Sequence, residues 1–360
     1  MAVPFAAPAV RGACLSDATP AAAGKVALVT ASMTQTGSWS TNGGAAIVRA
    51  LFKRTQAGNW RVGFMPADRE TALAIVRTQK GSRPLLRHCA VHPAIEIRAE
   101  HVLAPVNHSR DLVRAPVSAV LSSQDYQLVQ VEAPDVQPSE LRSAVRWSLR
   151  DILNYSVSEA VVDVFDIPEK ARYVESQMIF AVAAHSEAIK RVVNLVKPRA
   201  RGFDVIDIPE LCLRNLTSLL PQDEHGTALL ALGEGFAQLV LTCQGSLYLA
   251  RRIDLTKHQD SISIDGGEES NAQALAIELQ RSLNYYESHY DRAPIANVFV
   301  ASGDARAEQL LEPLRTETGL DVELFDIEEF FEVAPGVEPD THFPGLCALG
   351  AALRANGSTP

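Results

Sequence analysis

Three apolar runs, Ala228 to Leu232, Phe236 to Thr242 and Leu247 to Ile253, are separated only by Gly233-Glu234-Gly235 and by four residues centred on a turn at Gln244-Gly245. Connections that short join antiparallel neighbours, because a parallel crossover needs a dozen or more residues. This stretch is therefore a three-stranded antiparallel meander. Beyond Ile253 the pattern switches to helical spacing. A long helix opens with Asn271 as its cap and carries Leu275, Leu279, Leu283 and Tyr286 on one face. Strand Val298 to Ala301, a turn at Ser302-Gly303-Asp304 and a helix bearing Ala307, Leu310, Leu311 and Leu314 complete a βαβα half.

The preceding half has the same alternation. Strand-like Trp60 to Phe64, Ala72 to Arg77 and Ile95 to Ile97 come first, followed by Pro116 to Leu121 and Tyr126 to Glu132. Ser139 then reads as an N-cap with Glu140 in the first turn, and Leu141, Ala144, Val145, Ser148, Leu149 and Ile152 share one helical face. Strands Ala160 to Phe165 and Met178 to Ala184 precede a helix capped by Ser186, with Ile189, Val192, Val193 and Val196 pointing one way and Pro198 ending it. With strand Phe203 to Ile208, residues 125–209 read as a β-α-β-β-α-β subdomain inserted in a larger one.

The chain has 360 residues, 47% of them apolar and 21% charged, enough for two lobes that need no disulfide or metal to hold them. Residues 1–50 hold three basic and one acidic residue among many small ones and read as a disordered extension, so the acidity belongs to the rest. A net charge of −10 repels phosphate backbones and anionic lipid, which argues against a nucleic-acid or membrane-surface binder. The longest uncharged stretch, Lys25 to Arg49, is too rich in Ser and Thr to span a bilayer. An odd set of five scattered cysteines fits a reduced, cytoplasmic protein.

Several segments resemble one family in order and spacing. They are Leu51 to Arg54 with the Val62-Gly63 strand, Glu140 to Asn154 (ELRSAVRWSLRDILN), Glu159 to Ile167 (EAVVDVFDI) and Val205 to Leu213 (VIDIPELCL), then Glu278 to Tyr286 (ELQRSLNYY) and Gly345 to Arg354 (GLCALGAALR). Together they resemble the PilM family of actin-like pilus-assembly proteins, nearest its divergent MshI branch, which serves MSHA pili. The resemblance implies a two-lobed actin-like, ribonuclease H-like ATPase fold of class α/β. In that frame residues 51–226 are the first lobe with the insert at about 125–209, 227–342 the second lobe, and 343–354 a closing helix that returns to the first lobe. Residues 1–50 precede the family's opening and are expected to lie upstream of the true start. The family's members are cytoplasmic, hold ATP between the lobes, and couple the cytosolic tail of an inner-membrane protein to the pilus motor complex.

The family's fold cradles phosphate on two hairpin turns, each with an aspartate that holds Mg²⁺ through water. Here the first turn reads Phe64-Met65-Pro66-Ala67, with Met65 at the carboxylate position. Asp68 comes next, but Pro66 removes an N–H from the turn. At the second turn Ala231 stands at the carboxylate position, followed by Gly233, Glu234 and Gly235. Glu234 would face phosphate directly. The adenosine turn keeps Ser302, Gly303 and Asp304, which equally suit an ordinary strand-to-helix turn with Ser302 or Asp304 as cap. No catalytic residue is expected, and the cofactor is none, or ATP/ADP as a non-hydrolysed ligand. An active ATPase or phosphotransferase is the alternative reading, and the cytoplasmic part of a type II secretion protein another.

His88, Cys89, His92, His101 and His108 read as scattered surface histidines and a cysteine rather than a metal site, and Asp265 to Glu269 as a solvated acidic turn. The helix with Arg142, Arg146, Trp147 and Arg150 is either a partner-binding face, the tryptophan anchoring and Arg146 and Arg150 reading an acidic peptide, or a half-buried tryptophan flanked by solvated arginines. The leading expectation is a cytoplasmic scaffold for type IV (MSHA-type) pilus biogenesis, recruited to the inner membrane by a partner's cytosolic tail bound between the insert and the first lobe.

Overall fold

The computed structural model describes residues 59–354 apart from 68, 80, 94–97, 105, 107–108, 110, 169–176, 199, 201–202 and 257–266. The extension over residues 1–50, the Leu51 to Arg54 opening, the strand at 95–97, Asp68, His108 and the start of the acidic turn at 265 lie outside the described residues.

The first half runs β1 (Trp60–Pro66), β2 (Glu70–Arg77), β3 (Leu85–Pro93), β4 (Val117–Val120) and β5 (Tyr126–Glu132). Next come helix α1 (Leu141–Ser148), β6 (Ala160–Asp166), β7 (Met178–His185), α2 (Ser186–Val196), β8 (Phe203–Asp207) and α3 (Pro209–Thr217). The second half runs β9 (Thr227–Leu232), β10 (Phe236–Cys243), β11 (Ser246–Asp254), α4 (Gly267–His289) and β12 (Asn297–Ala301). It closes with α5 (Arg306–Thr318), β13 (Asp321–Leu324), β14 (Glu332–Val333) and α6 (Phe343–Ala352).

Two sheets repeat one topology. The order β3-β2-β1-β4-β8, with β14 added at its edge, matches β11-β10-β9-β12-β13 strand for strand. In each, the first three strands form an antiparallel meander, and the fourth and fifth add in parallel on the other side of the first. This duplicated sheet is the two-lobed actin-like architecture. Helix α6 returns from the second half to the first sheet, where a Cβ on Gly63 would fall 1.7 Å from the Ala348 carbonyl oxygen. Helices α6 and α3 touch as closely, since a Cβ on Gly350 would lie 2.0 Å from the Cys212 carbonyl oxygen. Glycine is required at both points because the backbones themselves are in contact. Asn215 Nδ2 donates to the Gly350 carbonyl at 2.9 Å and seals that crossing.

The insert has its own sheet, β5-β7-β6, and a small core of Val145, Leu149, Ile179, Ala181 and Ala183 under α1. Its opposite face, with Phe165, Phe180 and Val182, joins the main core. The expected β-α-β-β-α-β insert is corrected to β-α-β-β-α. Strand β8 pairs in parallel with β4, Ala119 opposite Ile206, and belongs to the first lobe's sheet. Ile206 and Asp207 are wholly buried there, beside β4.

Three expected caps also move. Helix α1 is preceded by Glu140, with no side-chain cap from Ser139. At α2 the capping side chain is that of His185, whose Nδ1 accepts the Glu187 N–H at 3.2 Å, leaving Ser186 as the first helical residue. Asn271 lies inside α4, which starts at Gly267. Ile152 leaves the buried stripe because the chain tightens to a 3₁₀ turn over Leu149–Asp151 and swings it into solvent. No helix among the described residues is long and apolar enough to cross a membrane.

Candidate functional site

The β1–β2 and β9–β10 turns approach each other at the cleft, where Arg69 Nη1 stands 3.5 Å from Glu234 Oε2 with both side chains well exposed. At the two positions expected from the resemblance to face metal-holding aspartates, Met65 and Ala231 are buried, the first 4% exposed and the second 0%. Neither of these two positions presents a carboxylate to the cleft.

The β9–β10 turn is tight, with the Gly233 N–H donating to the Phe236 carbonyl at 2.8 Å and Gly235 at φ 72°. The Phe236 ring folds back over Gly233, so that a Cβ there would lie 2.2 Å from the ring. Phe343 meets that ring edge-on at 4.9 Å, and the Arg252 guanidinium lies 3.3 Å from its centroid. A groove of about 420 Å³ beside the turn is lined by Glu234, Gly235, Phe236, Arg252, Asp254 and Thr256.

Ser302, Gly303 and Asp304 form the turn from β12 into α5. Asp304 Oδ1 accepts the Arg306 N–H at 3.0 Å, and the Arg306 Nε reaches the two carboxylate oxygens at 2.9 and 2.8 Å. These side-chain hydrogen bonds from Arg306 hold the Asp304 carboxyl down at about 2. The same guanidinium donates from Nη1 to the Gly233 carbonyl at 3.2 Å. One side chain thus ties Asp304 to Gly233, bringing together the two turns expected to hold a nucleotide. Gly303 is covered as Gly233 is, because a Cβ on it would fall 2.5 Å from the His342 ring. His342 is in turn held by Asp340 at 2.7 Å.

The residues expected at the two metal positions are apolar and buried, and rings lie against Gly233 and Gly303, which is a poor fit to a Mg²⁺-nucleotide. Sequence reasoning missed Arg306. The only local signal was an arginine two residues past Asp304, and its contact with Gly233 spans 73 positions.

The insert's helix divides its expected partner residues. Arg146 donates from Nε to the Val157 carbonyl at 2.9 Å and from Nη2 to the Ser158 carbonyl at 3.0 Å. Arg150 pairs with neighbouring Asp151 at 3.3 Å. Arg142 reaches around the insert to Asp163 at 2.6 Å. Trp147 is neither paired nor half-buried: at 68% exposure it is the most exposed large apolar side chain among the described residues. The arginines expected to read a partner are therefore partly engaged within the chain, and the tryptophan stands out alone.

His88, Cys89 and His92 all lie on β3, with His101 on the one-turn helix Ala99–Val102. Four residues of strand put His88 and His92 roughly 13 Å apart. Cys89 between them points to the opposite face, where Sγ donates to the Asp340 carbonyl and burial pushes the thiol up to about 12.

No protein-family model matches the chain and no curated protein matches it. Among solved structures it is similar to a chain of a PilM–PilN type IV pilus biogenesis complex, 19% identical, with 81% of this chain and 97% of that chain covered at a TM-score of 0.56. It is also similar to the cytoplasmic domain of EpsL, an inner-membrane component of the type II secretion system of Vibrio cholerae. That match is 12% identical and covers 82% and 95% of the two chains at a TM-score of 0.45. At 19% identity the likeness to the chain of the PilM–PilN complex shows a shared fold and nothing finer.

Proposed function

We propose that this chain is an actin-like scaffold of type IV pilus assembly, of the MSHA type, that binds the cytosolic tail of an inner-membrane assembly protein and links it to the pilus motor complex. Its place is the cytoplasmic face of the inner membrane. The observation that carries the reading is architectural: the fold is similar to that of a chain from the PilM–PilN complex, over 81% of this chain and 97% of that one. That complex joins two pilus-assembly proteins, and binding rather than turnover is what the cleft supports. Phosphoryl transfer needs charge neutralised at the phosphates. Met65 and Ala231 supply no metal ligand, and Arg306 commits its charge to Asp304 and Gly233.

The test is calorimetric titration of the full-length chain with synthetic cytosolic tails of the inner-membrane pilus-assembly proteins of the same organism. Saturable one-to-one binding by one tail, with no heat from scrambled tails, is the expected result. Absence of binding by all of them overturns the proposal.

A further inference from the structure

Strand β11 is an edge strand of the second sheet, and its pairing with β10 slips at one point. Leu247 faces Thr242 and Leu249 faces Leu241, so Tyr248 is the extra residue of a β-bulge. A bulged residue loses its place in the ladder and leaves its backbone groups to find other partners. The Tyr248 carbonyl finds one in the insert: Gln130 Nε2, on β5, donates to it at 3.1 Å. The other end of the same amide accepts from the Tyr285 hydroxyl of α4 at 3.2 Å. Four residues along β11, Arg252 Nη1 reaches Ser123 Oγ, in the loop that leads into the insert, at 3.3 Å.

We infer that the inserted subdomain is latched to the second lobe through Gln130, which gates any rotation of the lobes. The inference goes beyond the scaffold reading and stands without it. An amide suits the task because it presents a donor and an acceptor on one planar group, matched here to a carbonyl and a hydroxyl. The two contacts fall on different elements, a strand and a helix, so the insert cannot tilt away without freeing both. The Tyr290 hydroxyl also reaches the bulge carbonyl, but at 3.5 Å it is the weaker donor. The Arg252 end of the same strand continues the connection to the cleft, since its guanidinium lies on Phe236 at the β9–β10 turn. Strand β11 thus connects the insert to the β9–β10 turn through Gln130, Ser123 and Phe236, and the latch would couple movement at the two ends.

Hydrogen exchange on the full-length chain tests the latch. Gln130 is only half-buried, so Gln130→Met keeps the stem of the side chain and removes both hydrogen bonds. Exchange is expected to accelerate roughly tenfold together in residues 126–132, 246–252 and 283–289, the scale expected for losing two modest hydrogen bonds. Tyr285→Phe gives a smaller acceleration in the same three segments and adds nothing on top of Gln130→Met. Tyr155→Phe, which removes a bond to the Ala183 carbonyl inside the insert, serves as the control and loosens the insert alone. Acceleration confined to residues 126–132 in Gln130→Met, or none at all with the protein folded by circular dichroism, overturns the inference.

Discussion

Asp207 and Arg354 meet at 2.5 Å, the carboxylate wholly buried at the end of β8 and the guanidinium just past the last turn of α6. Arg61 of β1 donates to the Arg354 carbonyl, so one residue closes the first lobe's sheet against the returning helix. Burial alone would lower the Arg354 pKa, but the charge of Asp207 and its hydrogen bond outweigh it and the net shift is upward. Arg354→Met strands a buried carboxylate, and urea unfolding should show a loss of about 3 to 5 kcal/mol. Asp207→Asn combined with Arg354→Met should cost clearly less than the sum of the single changes. A fully additive double variant would mean the two residues act separately.

Helices α3 and α6 touch through Gly350 and leave no room for a methyl group, which would sit 2.0 Å from the Cys212 carbonyl oxygen. Gly350→Ala must push the helices apart at the junction between the sheets. The expected cost is roughly 3 kcal/mol, read from the shift of the urea midpoint. Gly319→Ala is a useful contrast, because Gly319 has nothing near its missing Cβ and is strained only by its positive φ of 69°. Equal effects at the two positions would contradict the close helix contact.

The Asp163 carboxylate accepts from Arg142 at 2.6 Å and from the Val164 N–H at 2.9 Å, yet its Oδ2 is buried without a hydrogen-bond partner. Burial pushes this carboxyl up to about 7 against the opposing pull of Arg142. A folded pKa above the unfolded one means the native state holds a proton that the unfolded chain has released. The contribution to stability is therefore complete below about pH 4 and lost as pH rises through about 7. Asp163→Asn keeps the acceptor and removes the titration. Between about pH 4 and pH 8 its unfolding constant should rise at least tenfold less than that of the wild type. Glu210, where burial outweighs the bond from Tyr126, shifts the same way, so part of the slope persists in the variant. An unchanged slope would refute the assignment.

Much of the fold was legible because its signals are local. Glycine turns fixed the β9–β10–β11 meander, and β5 begins and ends at Tyr126 and Glu132 as its alternation suggests. Strand β3 was not legible. Its pairing with β2 slips at Ile75/Val76, where Arg87 is the extra residue, and the slip breaks the alternation that marks a strand. The placement of β8 was misread for a different reason: its sequence says strand, but the choice between the insert's sheet and β4 is made by partners distant in the chain. The cleft divides in the same way. The residues of its turns are visible in the sequence, whereas Arg306 on Gly233 and His342 over Gly303 exist only once the lobe has folded.

Restoring the missing carboxylates should not restore nucleotide chemistry. Met65 and Ala231 are buried, so Met65→Asp and Ala231→Asp place a desolvated charge in the core. Each should cost on the order of 3 kcal/mol in urea unfolding. Neither the wild type nor a variant that still folds should release phosphate from Mg-ATP. Turnover by the wild type that is lost in Gly303→Ala would reverse this reading of the cleft.

The three residues at the insert's helix make separable predictions. Arg146 holds two carbonyls of the following turn, so Arg146→Ala should lower stability by roughly 1 to 2 kcal/mol. Trp147 touches solvent over most of its surface, and Trp147→Ala should stay within about 0.5 kcal/mol of the wild type. Arg150→Ala should be equally silent, since an exposed pair with an adjacent aspartate contributes little. Binding of the partner tail should sort them in the opposite order. An exposed tryptophan is the side-chain type that dominates interface energies, so Trp147→Ala should weaken the tail roughly tenfold or more, and Arg150→Ala far less. Thermal melts and calorimetric titrations on the same preparations check the two orders together. If Trp147→Ala binds the tail as the wild type does, the tail docks elsewhere on the chain.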